Sequence, residues 1–265
     1  MWRTSISRPA ASPDAPSRAE RRPIERILAR DRLIVLVSLL AVAGLSWLWL
    51  LRAPMRHATD VWTAAYLVPA FLMWALMMVA MMLPSAAPMI LLHARFARRA
   101  MPAGALASTA LFALAYLAIW LLFSLAAALA QGWLVASGPM SAMALAVGDR
   151  QLAGGMLVLA GLYQLTPLKR ACLDQCRSPI AFLMRLWRPG PRGTLRMGLA
   201  HGLYCLGCCW ALMLLLFVGG VMSLAWIGGL ALLVLAEKLA PPRWPVRETS
   251  GAVLLVAGLV LALGD

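Results

Sequence analysis

Three cysteines and a histidine stand within nine residues of otherwise apolar sequence, His201-Gly-Leu-Tyr-Cys205-Leu-Gly-Cys208-Cys209. Thiolate and imidazole are the side chains that hold soft or borderline metal ions, and thiols also carry redox exchange. On a helix turning about 100° per residue, Cys208 and Cys209 fall about −60° and +40° from Cys205, inside an arc of about 100°. His201 lies one turn before Cys205 and joins the same side. Gly198 and Gly202 form a small-xxx-small pair, the pattern that lets helix backbones approach closely. The cysteines are therefore expected to face a neighbouring helix. Cysteine also packs well as a small apolar residue, but three in five positions beside a histidine favour ligation over packing.

Two other stretches carry related chemistry. Met73-Trp-Ala-Leu-Met77-Met78-Val-Ala-Met81-Met82-Leu-Pro84-Ser-Ala-Ala-Pro88-Met89 ends near His93. Met77 and Met81, and Met78 and Met82, are i, i+4 pairs, so thioethers stack along a helix. Thioether sulfur is a soft neutral donor suited to Cu(I). Met77, Met78, Met81, Met82, Met89 and His93 form a candidate secondary track, although methionine is also a common filler of apolar cores. Pro84 and Pro88 lack the N–H of a regular turn and are expected to kink this segment.

The third stretch is Tyr163-Gln-Leu-Thr-Pro167-Leu-Lys-Arg-Ala-Cys172-Leu-Asp-Gln-Cys176-Arg-Ser-Pro179. Cys172 and Cys176 are one helical turn apart. Lys169, Arg170 and Arg177 beside them are expected to favour thiolate. Glu237 precedes Lys238 at the end of an apolar run. It reads as an interfacial partner of Lys238 or of a loop arginine, with a carboxylate facing the interior as the alternative.

The elements that must position these groups follow from composition. Of 265 residues, 63% are hydrophobic and 13% charged, outside the range of ordinary soluble domains. Seven apolar stretches of about 18 residues or more, near 32–51, 66–92, 104–130, 150–167, 197–220, 222–240 and 248–264, are long enough to cross a bilayer. Backbone groups in lipid must bond within their own segment, so these are helices. The expected fold is an all-α polytopic bundle of about seven spans. Residues 1–28 read as a disordered basic tail and residues 29–265 as the transmembrane domain. The first span lacks a small-residue cleavage site and reads as a retained helix rather than a signal peptide.

Lysine and arginine are retained on the cytoplasmic side. With the N-terminus cytoplasmic and seven spans, 21 of the 24 basic residues fall inside, all but Arg52, Arg56 and Arg150. Topology together with contact to anionic lipid accounts for the net charge of +14, and no nucleic-acid partner is needed. All five cysteines then lie in the half of the protein facing the reducing cytoplasm, where structural disulfides are disfavoured.

The blocks at 77–89, 163–179 and 201–213 together resemble the domain of unknown function 2182 family, bacterial proteins described as predicted metal-binding integral membrane proteins. The resemblance covers about residues 62–242. It implies a metal-binding protein of the bacterial inner membrane and supplies no reaction.

The expected function is binding of a soft transition metal, Cu(I) before Zn²⁺, on the cytoplasmic half. Cys205, Cys208 and Cys209 are the core ligands with His201 adjacent, and Cys172 and Cys176 form an entry or handover pair. The expected partners are the lipid bilayer, the metal, and a metal chaperone or metalloenzyme client. Transport, delivery and storage are alike open to such a site. Two other classes stand beside it: a membrane thiol-disulfide oxidoreductase, weakened by the absence of CxxC, and a non-catalytic scaffold whose cysteines only pack. No hydrolase array, phosphate-binding loop or nucleotide fingerprint is present.

Overall fold

Prolines, glycines and caps divide the apolar sequence into helices in a computed structural model, which describes residues 33, 35–48, 60–141, 145–241 and 243–264. The helices are α1 Val35–Leu48, α2 Ala64–Ala100, α3 Ala105–Ala136, α4 Arg150–Leu165, α5 Pro167–Arg177 and α6 Pro179–Leu186. They continue with α7 Pro191–Leu214, the single turn α8 Leu216–Gly219, α9 Leu224–Leu239 and α10 Val246–Leu263. A short 3-10 turn, Pro102–Gly104, leads into α3. No strand occurs among the described residues. The expected tail at 1–28 lies outside them.

Among the described residues, four helical segments are long and apolar enough to cross a membrane: Ala64–Ala100, Pro102–Ala136, Pro191–Gly219 and Val246–Leu263. They cover the stretches expected near 66–92 and 104–130, and all but the last residue of those near 197–220 and 248–264. The stretches near 150–167 and 222–240 form helices of 16 residues each, α4 and α9. The described part of the first stretch is Val35–Leu48.

The chain turns sharply at Thr166-Pro167. Thr166 is extended and its hydroxyl accepts the backbone N–H of Lys169, while Pro167 occupies the first turn of α5 where no donor is required. The expected bend at the end of the fourth stretch is therefore present, and it turns the Cys172/Cys176 helix back against α7. α2 runs as one helix from Ala64 to Ala100 through Pro69, Pro84 and Pro88. Its buried turns pack against α3, α6 and α9.

Small residues set two close helix pairs. A Cβ on Gly198 of α7 would lie 2.6 Å from Ala115 Cβ and 2.6 Å from the Phe112 carbonyl of α3, and one on Gly202 would lie 2.7 Å from Ile119. The small-xxx-small pair thus faces α3, as its spacing predicts. In the same way Gly154 and Gly161 of α4 meet Gly258 and Gly251 of α10 backbone to backbone. The core fills the space between α2, α3 and α7 with Trp74, Trp120, Tyr116, Phe112 and the buried methionines. Leucines and valines on the outer faces of α3 and α10 remain exposed.

Candidate metal centre

The second half of α7 points its three thiols at different neighbours, because 100° per residue spreads them over one broad side. Cys205, Cys208 and Cys209 are all buried, and all five cysteines are free thiols. Cys205 faces α3 and α9: its sulfur shares a hydrogen bond with the Tyr116 hydroxyl at 3.1 Å and accepts one from Lys238 Nζ at 3.0 Å. Cys208 faces α5, with its sulfur 4.0 Å from Cys176 Sγ. Cys209 faces α2, with its sulfur 3.9 Å from Met82 Sδ. Cys208 and Cys209 also bond back to the Cys205 carbonyl, at 3.1 Å and 2.9 Å.

One sulfur cluster therefore gathers Cys205, Cys208, Cys209, Cys176 and Met82 from three helices. Cys172 approaches the same helix, its sulfur lying 2.8 Å from where a Cβ on Gly207 would stand. Tyr163 donates to the Gly207 carbonyl and closes the α4 side. No three Cys, His, Asp or Glu side chains among the described residues surround a common point as a preformed metal site. The back-bonded rotamers of Cys208 and Cys209 supply the reason: their sulfurs are turned along α7 to the carbonyl of Cys205. A χ1 change, a staggered rotamer away, releases them.

His201 is buried one turn from Cys205, boxed by Tyr116 at 5.4 Å, Phe112 at 6.0 Å and Phe182 at 5.5 Å between ring centroids. Its Nδ1 has no hydrogen-bond partner among the described residues. His93 is fully buried, stacked on Phe112 at 4.6 Å, with neither ring nitrogen partnered there. Met77, Met78, Met81 and Met89 are buried in the same core, but it is Met82 whose sulfur meets a thiol.

Two expectations are corrected by tertiary contacts. The basic residues near Cys172 and Cys176 do not favour thiolate there. Lys169 turns inward to Glu237, and Arg177 donates to the Glu237 carbonyl at 2.7 Å. Burial, followed by the neighbouring Cys208, pushes the Cys172 thiol up from its ordinary value. Hydrogen bonds with Cys205 and Cys208, together with burial, push Cys176 well up.

Glu237, in turn, does not pair with Lys238. Its carboxylate is buried, accepting from Lys169 Nζ at 2.7 Å, Gln164 Nε2 at 2.7 Å and Ser250 Oγ at 3.2 Å. The alternative of a carboxylate facing the interior holds. Successive residues on a helix point about 100° apart, so Glu237 and Lys238 serve different neighbours. Glu237 ties α9 to α4, α5 and α10, while Lys238 reaches the thiols and Ser85 Oγ, the latter at 2.8 Å.

Lys238, Tyr116 and Ser85 were not among the site residues expected from sequence. Their signal was weak but present: each is a polar group inside or at the end of an apolar run, where an unpaired one is costly.

Fold and site together define an all-helical protein with helices of membrane-spanning length around a buried cluster of soft sulfur donors. The chain belongs to the PpoB2 family, described as a copper chaperone, whose model matches residues 71–261. The matched region runs from the methionine-rich part of α2 into α10 and so includes every cysteine. No curated protein and no solved structure is a match to the chain.

Proposed function

We propose that the protein is a membrane-embedded copper chaperone that holds Cu(I) as cargo on the thiols of α7 and passes it through α5. The observation that carries this reading is the convergence of Cys205, Cys208, Cys209, Cys176 and Met82 sulfurs in one buried cluster, in a chain of a copper chaperone family. Thiolate and thioether donors select Cu(I), for which two or three sulfurs suffice, whereas structural Zn²⁺ sites use four ligands. Cys205, Cys208 and Cys209 would be the principal ligands, with Met82 a neutral fourth sulfur and His201 beside them. Met77, Met78, Met81, Met89 and His93 would line a softer secondary track.

Cys176, within reach of Cys208, and Cys172, on the same helix face, would exchange the ion with a chaperone or metalloenzyme client. One thiolate replaces another on Cu(I), with no change of oxidation state. Zn²⁺ is the second metal for such a donor set.

The setting we propose is the bacterial inner membrane, with seven crossings and a cytoplasmic N-terminus. Support comes from the positive-inside bias and from α4 lying glycine to glycine along the membrane-length α10. Exposed apolar faces on α3 and α10 suit lipid.

The test is metal analysis of the purified protein in lipid nanodiscs after Cu(I) loading. One Cu(I) per chain is expected, falling to background in Cys205→Ser/Cys208→Ser/Cys209→Ser. Full copper stoichiometry in that variant rejects the assignment.

The 4.0 Å approach of Cys176 to Cys208 also favours a second reading, a thiol-disulfide oxidoreductase. In-cell thiol trapping separates the two. A cycling Cys176–Cys208 disulfide supports the oxidoreductase, and chelator-sensitive protection of the thiols supports copper.

A further inference from the structure

Lys238 is an ammonium in a buried, sulfur-lined environment, and no carboxylate pairs with it among the described residues. Its sequence neighbour Glu237 is committed to Lys169. Its acceptors are instead Cys205 Sγ at 3.0 Å and Ser85 Oγ at 2.8 Å. Ser85 in turn donates to the Met82 carbonyl at 2.8 Å, as does the Tyr116 hydroxyl at 3.1 Å, which also meets Cys205. The end of α9 thus aims one positive charge at one cysteine, with α2 and α3 supplying the polar groups that hold both in place.

A buried cation persists only when paired and hydrogen-bonded. Cu(I) held by two thiolates is a complex with one net negative charge, which is equally unfavourable alone in an apolar interior. The two requirements answer each other. We infer that Lys238 is the internal counter-ion of the copper–thiolate complex, a binding residue that neutralises the loaded site without ligating the metal. This rests on the reading of the α7 cluster as the cargo site. It makes Cys205, the sulfur nearest the charge, the anchoring thiolate, with Cys208 or Cys209 completing the pair when their sulfurs turn from the Cys205 carbonyl. Unlike Cys172 and Cys176 on α5, the anchor is then held by groups from α3 and α9 whether or not metal is present, and this favours exchange at the α5 side.

The experiment is Cu(I) titration of the full chain in nanodiscs against a coloured Cu(I) chelator, using Lys238→Leu, Lys238→Arg and Cys205→Ser. Leucine carries neither charge nor sulfur, whereas methionine would place a thioether suited to Cu(I) beside Cys205. Thermal unfolding of the metal-free variant checks that the fold is retained.

The expected result is that Lys238→Leu keeps one Cu(I) per chain but binds it about 10–100-fold more weakly, the range for losing a group that supports metal ligands. Lys238→Arg is expected to retain most of the affinity. In a Cys205→Ser background, Lys238→Leu should have little further effect, because its partner charge is already gone. Unchanged affinity in folded Lys238→Leu, or an equal loss in Lys238→Arg, overturns the counter-ion assignment while leaving the cargo site standing. Failure of the unsubstituted protein to bind Cu(I) overturns both.

Discussion

Two helix pairs in this molecule are built on the same device and put to different use. α4 and α10 approach through Gly154, Gly161, Gly251 and Gly258, and α3 and α7 approach through Gly198 and Gly202. In both, the missing Cβ atoms let backbones come close enough for dispersion contacts that larger side chains would prevent. The outer face of α10 is exposed leucine and valine, so that pair is an attachment and little else. α7 instead carries three thiols, on the side its glycines share, into a junction with α2, α3, α5 and α9. Close packing on the glycine side fixes the rotation of α7, and that rotation aims the cysteines. The same interaction is architecture in one place and aiming in the other.

Separate substitutions can break this contrast. The largest stability effect is expected from Glu237→Gln, which leaves Lys169 buried without its counter-charge. Removing one partner of a buried pair costs about 3–5 kcal/mol, to be read as lowered thermal stability in nanodiscs. Because that pair also ties α9 to α5, crosslinking of Cys176 to Cys208 by a short thiol-bridging reagent should fall, in a chain keeping only those two cysteines. Undiminished crosslinking would show that α5 is held by its other contacts.

Next comes Gly258→Val. The added side chain would meet the Val158 backbone nitrogen and the Gly154 carbonyl, at 2.7 Å and 2.8 Å from Cβ, where backbone cannot yield easily. Overpacking of this kind costs roughly 1–3 kcal/mol. Copper bound per folded molecule should not change, since α10 attaches and does not aim. A drop in copper affinity as large as that for Lys238→Leu would erase the distinction between the pairs.

The smallest effect belongs to Met82→Leu, a volume-conserving exchange that costs under about 1.5 kcal/mol of stability. It removes one neutral sulfur beside Cys209. A loss of Cu(I) affinity smaller than that of Lys238→Leu is expected in the chelator titration. A larger loss would make the thioether a principal ligand.

Much of this was legible in the residues. The apolar runs announced helices, because a backbone in lipid has to bond within its own segment. The spacing at 201–209 put three thiols on one side of α7, and Gly198 and Gly202 correctly pointed to a close helix partner. Thr166-Pro167 marked the turn into the helix of Cys172 and Cys176. The chemistry of sulfur, read from residue type alone, agrees with the copper chaperone family to which the chain belongs.

What the sequence could not supply was the pairing between distant segments. Glu237 and Lys238 are adjacent and of opposite charge, so local reasoning joins them; the helix sends them to opposite partners, 68 residues away in Lys169 and 33 residues away in Cys205. Lys169, Arg170 and Arg177 looked like activators of the nearby thiols, yet Lys169 and Arg177 are taken up by Glu237 and burial acts on Cys172 in the other direction. The physical reason is the same in each case. Residue type and helical period are local and fix which groups exist and which side they share. The partner each buried charge or thiol finds depends on how whole helices rotate against one another, and only the packed tertiary structure decides that.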